Sequence, residues 1–144
     1  MNRKKLHEIL DLTLEFAKCN NHVLAVGLCG SWARGTAGPD SDIDLSIVVE
    51  NKFRFKETDW LEDIDFIKIN DGIDYFKDAV YGQVWSRHVF LKSKIEIEFS
   101  FADKTWADVE NLDEGTRKVV SDGFKIIYDP YLILNDLSEK IFIK

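Results

Sequence analysis

The stretch "GLCGSWARGTAGPDSDIDLSIVV", residues 27 to 49, decides how this chain is read. Asp42 and Asp44 stand at i and i+2, followed by an apolar, β-branched run. In extended backbone such residues point to one side, and Ile43 and Leu45 point to the other, into a core. Two carboxylates a few Å apart repel one another. Both stay ionised at neutral pH only if a cation lies between them; otherwise one pKa rises. Hard oxygen ligands of this kind suit Mg²⁺, which typically takes one or two carboxylates together with substrate phosphates. The plain alternative is a strand start with two solvated aspartates, and an Asp-x-Asp pair by itself does not exclude it.

Upstream, Gly30-Ser31 falls where one apolar run, residues 22 to 29, gives way to a short helix beginning at Ser31. The run reads as a strand buried on both faces. Free backbone N–H groups at such a turn attract anions, and glycine allows close approach of a phosphate. Residues 43 to 50 read as the next core strand. Joined to the carboxylate pair, the turn becomes a phosphate cradle beside a cation site.

Working outward, Leu6, Ile9, Leu10, Thr13, Leu14 and Ala17 fall at helical spacing and predict a helix over about residues 3 to 19. "TDWLEDIDFI" predicts a short helix with Thr58 as N-cap. Residues 68 to 81 carry no decisive pattern. A hairpin follows, with arms at about 83 to 91 and 94 to 101 and Lys92-Ser93 in the turn. Alternation in the second arm puts Ile95, Ile97, Phe99 and Phe101 on one face, and Glu96, Glu98 and Ser100 on the other. "DEGTRKVVSDG" predicts a helix stopped at Gly123, "FKIIYDP" a strand and "YLILNDLSEKIF" a last helix. The class is mixed α and β in one domain, residues 1 to 144.

Glu96 or Glu98 would complete a three-carboxylate cluster if their strand lies beside that of Asp44, and such a cluster can hold two metal ions. Solvated glutamates on an edge strand are the alternative. Arg87 and His88 are neighbours on the first arm, so only one of them can face these carboxylates, in a structural ion pair with Glu98 or Glu96.

Charge and composition narrow the function. The net charge is −7, which disfavours a long nucleic-acid substrate. No apolar run approaches the ~20 residues of a membrane span, and the N-terminus lacks a signal-peptide pattern. Cys19 and Cys29 lack metal-ligand spacing and read as buried, reduced thiols of a cytoplasmic protein. Four tryptophans and ten phenylalanines exceed the needs of a small core, which places one or two in a pocket.

The compound pattern "GSWARGTAGPDSDIDL" with "IEIEF" resembles the signature of the polymerase-beta-like nucleotidyltransferase superfamily: glycine-serine, a spacer, aspartate-x-aspartate, then a carboxylate on a later strand. Trp106-Ala107, "DEGTRKVVSDG" and "IIYDP" extend the likeness to small stand-alone nucleotidyltransferase-domain proteins. The resemblance implies a mixed sheet flanked by helices and transfer of a nucleoside monophosphate, AMP from ATP foremost, to an acceptor hydroxyl. It implies that Gly30 and Ser31 hold the β- and γ-phosphates, with Arg34 one helical turn further on. Asp42 and Asp44 would bind Mg²⁺, and Glu98 would help bind a second ion and deprotonate the acceptor. Glu96 is a further ligand or a base. The chain departs from the pattern in offering two glutamates where one acid is usual. The acceptor is left open between a small molecule, such as a cationic antibiotic, and a partner protein. A homodimer that walls the cleft, and a silent, antitoxin-like module of the same fold, also follow as readings.

Overall fold

In the computed structural model, described for residues 3–38, 40–82, 84–107 and 114–142, helix α1 (Arg3–Cys19) is followed by strand β1 (Val23–Cys29), helix α2 (Gly30–Arg34) and strand β2 (Ile43–Val49). Then come helix α3 (Asp59–Glu62) and strands β3 (Ile73–Tyr81), β4 (Val84–Leu91) and β5 (Glu96–Asp103). Helix α4 (Glu114–Ser121), strand β6 (Phe124–Tyr128) and helix α5 (Ile133–Phe142) complete the chain. Short 3-10 turns lie at Lys52–Lys56, Phe66–Ile69 and Lys104–Ala107. The predicted start of the hairpin at 83, Asp113 at the front of the fourth helix, Pro39, and the chain ends at 1–2 and 143–144 lie outside the described residues.

All six strands form one sheet in the order β3-β4-β5-β2-β1-β6. Among the described residues β2 and β5 pair parallel and the other pairs are antiparallel. β5 is therefore an interior strand, not an edge. Every residue of β1 is buried, as its unbroken apolar run requires.

The strand alternation divides the side chains between two layers. One face packs Ile43, Leu45, Ile47, Ile97, Phe99 and Phe101 against α1 and α3. Much of the aromatic excess is used here. Trp60 meets Phe16, Phe55, Phe99 and Phe101, and Trp85 stacks on Phe101 at 4.8 Å. Of the expected pocket rings, Trp106 packs in the second layer and lines the cavity over the sheet. The other face carries α4, α5 and Trp106 over Leu24, Ala25, Val48 and Ala102. Among the described residues these helices pack at one end of that face. The opposite end, where β2 and β5 begin, is where Asp44 and Glu98 stand.

Several local expectations change. The single helix predicted from Thr58 is two pieces, α3 and the Phe66–Ile69 turn, and Thr58 makes no capping bond because its own backbone is helical (φ −103°, ψ −9°). Unassigned residues 68 to 81 contain the edge strand β3, most of whose side chains are exposed; a solvated edge strand has no buried face to impose alternation. Cys19 is exposed at the end of α1, while Cys29 is buried.

Arg87 points into the first layer, 1% exposed. Its Nε and Nη2 donate to Asp78 at 2.8 and 3.0 Å, and Nη1 and Nη2 donate to the carbonyls of Glu57 and Lys56 at 3.0 Å. It therefore takes no part in an ion pair with Glu96 or Glu98, and instead ties β3 to the chain before α3.

Candidate active site

The sheet register assembles one row of chemistry. Cys29 of β1 lies opposite Asp44 of β2, Asp44 beside Glu98 of β5, Glu98 opposite His88 of β4, and His88 opposite Lys77 of β3. Asp42 precedes β2 and lines, with Glu96, a second cavity beside the main one. The expected meeting of the Asp42/Asp44 pair with the second hairpin arm is thus realised through parallel pairing of β2 with β5.

Gly30 closes the row at the turn from β1 into α2. Its φ is +71°, a conformation that L side chains resist, and a Cβ there would run into the Asp44 carboxylate. α2 ends at Gly35 in the left-handed region, φ 78°. Ser41 holds the intervening loop: its hydroxyl accepts from the Gly38 N–H at 2.8 Å and its carbonyl accepts from the Trp32 indole at 3.4 Å.

A cavity of about 450 Å³ opens over the row, lined by Gly30, Arg34, Asp44, Glu98, Tyr81 and Trp106 among others. Ser46 and Ser100 also line it, with Ser86 beside Ser100 on the next strand. The Ser86 and Ser100 hydroxyls are 2.7 Å apart, and both donate to Glu98 Oε2, at 3.4 and 3.2 Å. Ser46 lies 3.1 Å from Cys29 Sγ. Ser46 and Ser100 follow Asp44 and Glu98 at i+2, so their place on this face was readable from alternation. Nothing in the sequence marked Tyr81 or Asp122, which reach the cavity from the β3–β4 hairpin and the end of α4.

The electrostatics are those of crowded carboxylates. Asp44 is pushed up to about 6, first by burial and then by the charges of Glu98, Asp42 and Glu96. Asp42 is raised by burial, then by Glu96 and Glu98. Burial pushes the Cys29 thiol to about 12, with Asp44 and Glu98 adding to the effect of burial and Ser46 opposing it. Against these stands His88, whose Nδ1 is 2.9 Å from Glu96 Oε2 and whose Nε2 is 3.6 Å from Glu98 Oε1. His88, not Arg87, is the hairpin residue that faces the acids. Nε2 is also 3.3 Å from the Tyr81 hydroxyl.

The donor set fits a hard divalent cation in chemistry: oxygen ligands whose mutual repulsion a cation would relieve. It is an open set, not a closed cage. Among the described residues no group of three or more His, Cys, Asp or Glu is gathered so as to hold a metal ion by itself. Mg²⁺ sites completed by substrate phosphates are of this open kind.

A family model for the nucleotidyltransferase domain matches residues 10–119, and the chain belongs to that family of transferases. Among solved structures, an aminoglycoside 6-adenyltransferase from Bacillus subtilis superposes with a TM-score of 0.52 at 17% identity, over 70% of this chain and 36% of that one. The chain thus spans little more than a third of that relative. The Cid1 poly(U) polymerase aligns with a TM-score of 0.49 at 16% identity, over 69% and 30% of the two chains. A toxin–antitoxin structure with AMP-PNP gives 0.48 at 10% identity, over 92% and 82%. At such identities a likeness concerns the fold. No curated protein sequence matches the chain. Among the described residues no helix is long and apolar enough to cross a membrane.

Proposed function

We propose that residues 1 to 144 act as one cytoplasmic domain that transfers a nucleoside monophosphate, AMP from ATP foremost, to a hydroxyl of an acceptor. The acceptor is a small molecule or a partner protein. The observation that carries this reading is the row Gly30–Asp44–Glu98 at the rim of a cavity of about 450 Å³.

In this reading the Gly30 and Ser31 backbone N–H groups receive the β- and γ-phosphates, and Arg34, which lines the same cavity, adds a cation to them. Asp42, Asp44 and Glu98 would hold Mg²⁺, as two ions, with Glu96 at the margin because His88 already engages it. The metal supplies charge neutralisation at the triphosphate. The chain's own work is positioning: Ser86 and Ser100 fix the Glu98 carboxylate through their hydroxyls, and the glycine turn brings the phosphates against Asp44. Glu98 receives the acceptor proton as the acceptor oxygen attacks the α-phosphorus and pyrophosphate departs. Alignment of this kind accounts for much of the rate of such displacements.

Calorimetric titration of ATP with Mg²⁺ tests the reading. Binding is expected in the native chain and its loss in Asp42→Ala and Asp44→Ala; equal affinity in all three sinks it. Pyrophosphate release against hydroxylated small molecules and candidate partner proteins then finds the acceptor.

A second reading is a silent module that binds a nucleotide or a partner protein without turnover. Its mark would be a broken carboxylate set, and Asp44 level with Glu98, with Asp42 two residues before it, weighs against it. Nucleotide binding with no pyrophosphate release under any acceptor condition would decide for it.

A further inference from the structure

β3 is the edge strand of the sheet, and its pairing is regular from Tyr75 to Tyr81 after a register shift between Ile73 and Tyr75. It runs nine residues, contains no proline and, among the described residues, pairs with β4 alone. Four large apolar side chains along it are open to water: Tyr75 at 47%, Phe76 at 38%, Val80 at 73% and Tyr81 at 52%. Native proteins usually blunt such an edge with charges, bulges or a cover. Here two of the three charges on the strand, Asp78 and Lys77, are engaged within the chain. Asp78 is bound by Arg87, which holds its carboxyl below the ordinary range, and Lys77 lies over the Tyr75 and Phe90 rings. Asp74, Asp78, Lys77 and Arg87 cancel formally, so the β3–β4 hairpin is a neutral stripe on a chain of net charge −7. Two copies of so acidic a chain meet there with the least repulsion.

We propose that β3 pairs antiparallel with β3 of a second copy, continuing the sheet across a two-fold axis. Such pairing sets each residue opposite one of the same face, so paired positions sum to an even number. With Asp78 on the axis, Phe76 lies opposite the partner's Val80 on one face. Tyr75 lies opposite the partner's Tyr81 on the other, and Lys77 opposite the partner's Ala79. All four exposed apolar side chains are then matched with apolar side chains, and the two Asp78 carboxylates are flanked by two Arg87 guanidiniums. The four side chains leave roughly 400 Å² per copy to cover, taking ~200 Å² for an aromatic side chain. That is about half of the ~800 Å² per partner of a specific interface, and the paired backbone and flanking residues supply the remainder.

The consequence reaches the site. Tyr81 lines the main cavity and lies 3.3 Å from His88 Nε2. In the paired arrangement the partner's Tyr75 packs on that Tyr81 and extends the cavity wall, so each site borrows an aromatic ring from the other copy.

The test is oligomeric state by light scattering and sedimentation on the full chain at 1 to 100 µM, about the range where a micromolar dimer forms. A dimer is expected for the native chain, and a monomer with unchanged circular dichroism for Val80→Lys, a largely solvated position. A cross-link fixes the register. In a Cys19→Ser background, Lys77→Cys/Ala79→Cys forms an intermolecular disulfide under mild oxidation. Lys77→Cys alone does not, because its Cα then lies beyond the ~7 Å that a disulfide spans. A monomer throughout the range, a dimer indifferent to Val80→Lys, or self-cross-linking of Lys77→Cys overturns the proposal. So does a native monomer that associates through this edge only with a different protein.

Discussion

The Asp44 carboxylate fills the space into which a side chain on Gly30 would project. The first residue of the glycine turn and the half-buried acid of the next strand therefore constrain each other. Gly30→Ala adds a Cβ there in a backbone with φ +71°. We expect a loss of about 1–2 kcal/mol of stability from the left-handed conformation, and loss of ATP binding because the displaced acid and the turn no longer meet. Denaturant midpoints and calorimetry read the two effects separately.

Asp44 titrates near 6 in the fold against 3.8 without it. Between about pH 4 and 6 the folded chain holds a proton that the unfolded chain has lost, so stability falls as pH rises through that window and then levels. Partial solvation limits the effect to about 1–2 kcal/mol. Asp71 and Asp78 are lowered instead, Asp71 because the Ser93, Gly72 and Lys5 hydrogen bonds outweigh burial and Asp78 by Arg87, so their contributions are already present across this window. In EDTA, melting curves should show the decline in the native chain and a smaller one in Asp44→Asn. Mg²⁺ should restore the native chain at pH 7.5 and leave it unchanged at pH 4.

Glu98 and Glu96 part company in the structure. Glu98 lies in register with Asp44, whereas Glu96 is held 2.9 Å from His88 Nδ1. Manganese binding followed by electron paramagnetic resonance should weaken at least tenfold in Glu98→Gln and less than threefold in Glu96→Gln. The reverse order would make Glu96 the principal third acid.

Arg87 is a buried guanidinium with four donor contacts. Arg87→Ala leaves Asp78 and two carbonyls without their donor and should cost about 3–5 kcal/mol. Arg87→Lys should recover less than half of that, since an ammonium cannot reproduce the planar fork. Urea unfolding measures both.

The thiols differ by burial. Cys29 is buried with its pKa near 12, so the folded chain should react with a disulfide reagent at pH 8 at a single site, the exposed Cys19. Cys19→Ser should abolish the fast phase, and denaturation should reveal Cys29.

Local pattern carried far in this chain. The all-buried β1, the alternation of β2 and β5, and the order of glycine turn and paired aspartates were legible because backbone parity and unbroken apolar runs act over a few residues. β3 was not legible, because an exposed edge has no burial to write a period into its sequence. The roles of Arg87 and His88 were half legible: parity required opposite faces, but not which face held the acids.

The sequence by itself determined that Asp42 and Asp44 share one face, that Ile43 and Leu45 anchor it, and that Gly30-Ser31 turns beside a strand end. Only the tertiary structure decided that β5 runs parallel to β2 with Glu98 level with Asp44, and that His88 faces the acids while Arg87 is buried behind them. Strand order and register are settled by which layers bury the apolar faces together, a property of the whole sheet that no local stretch encodes.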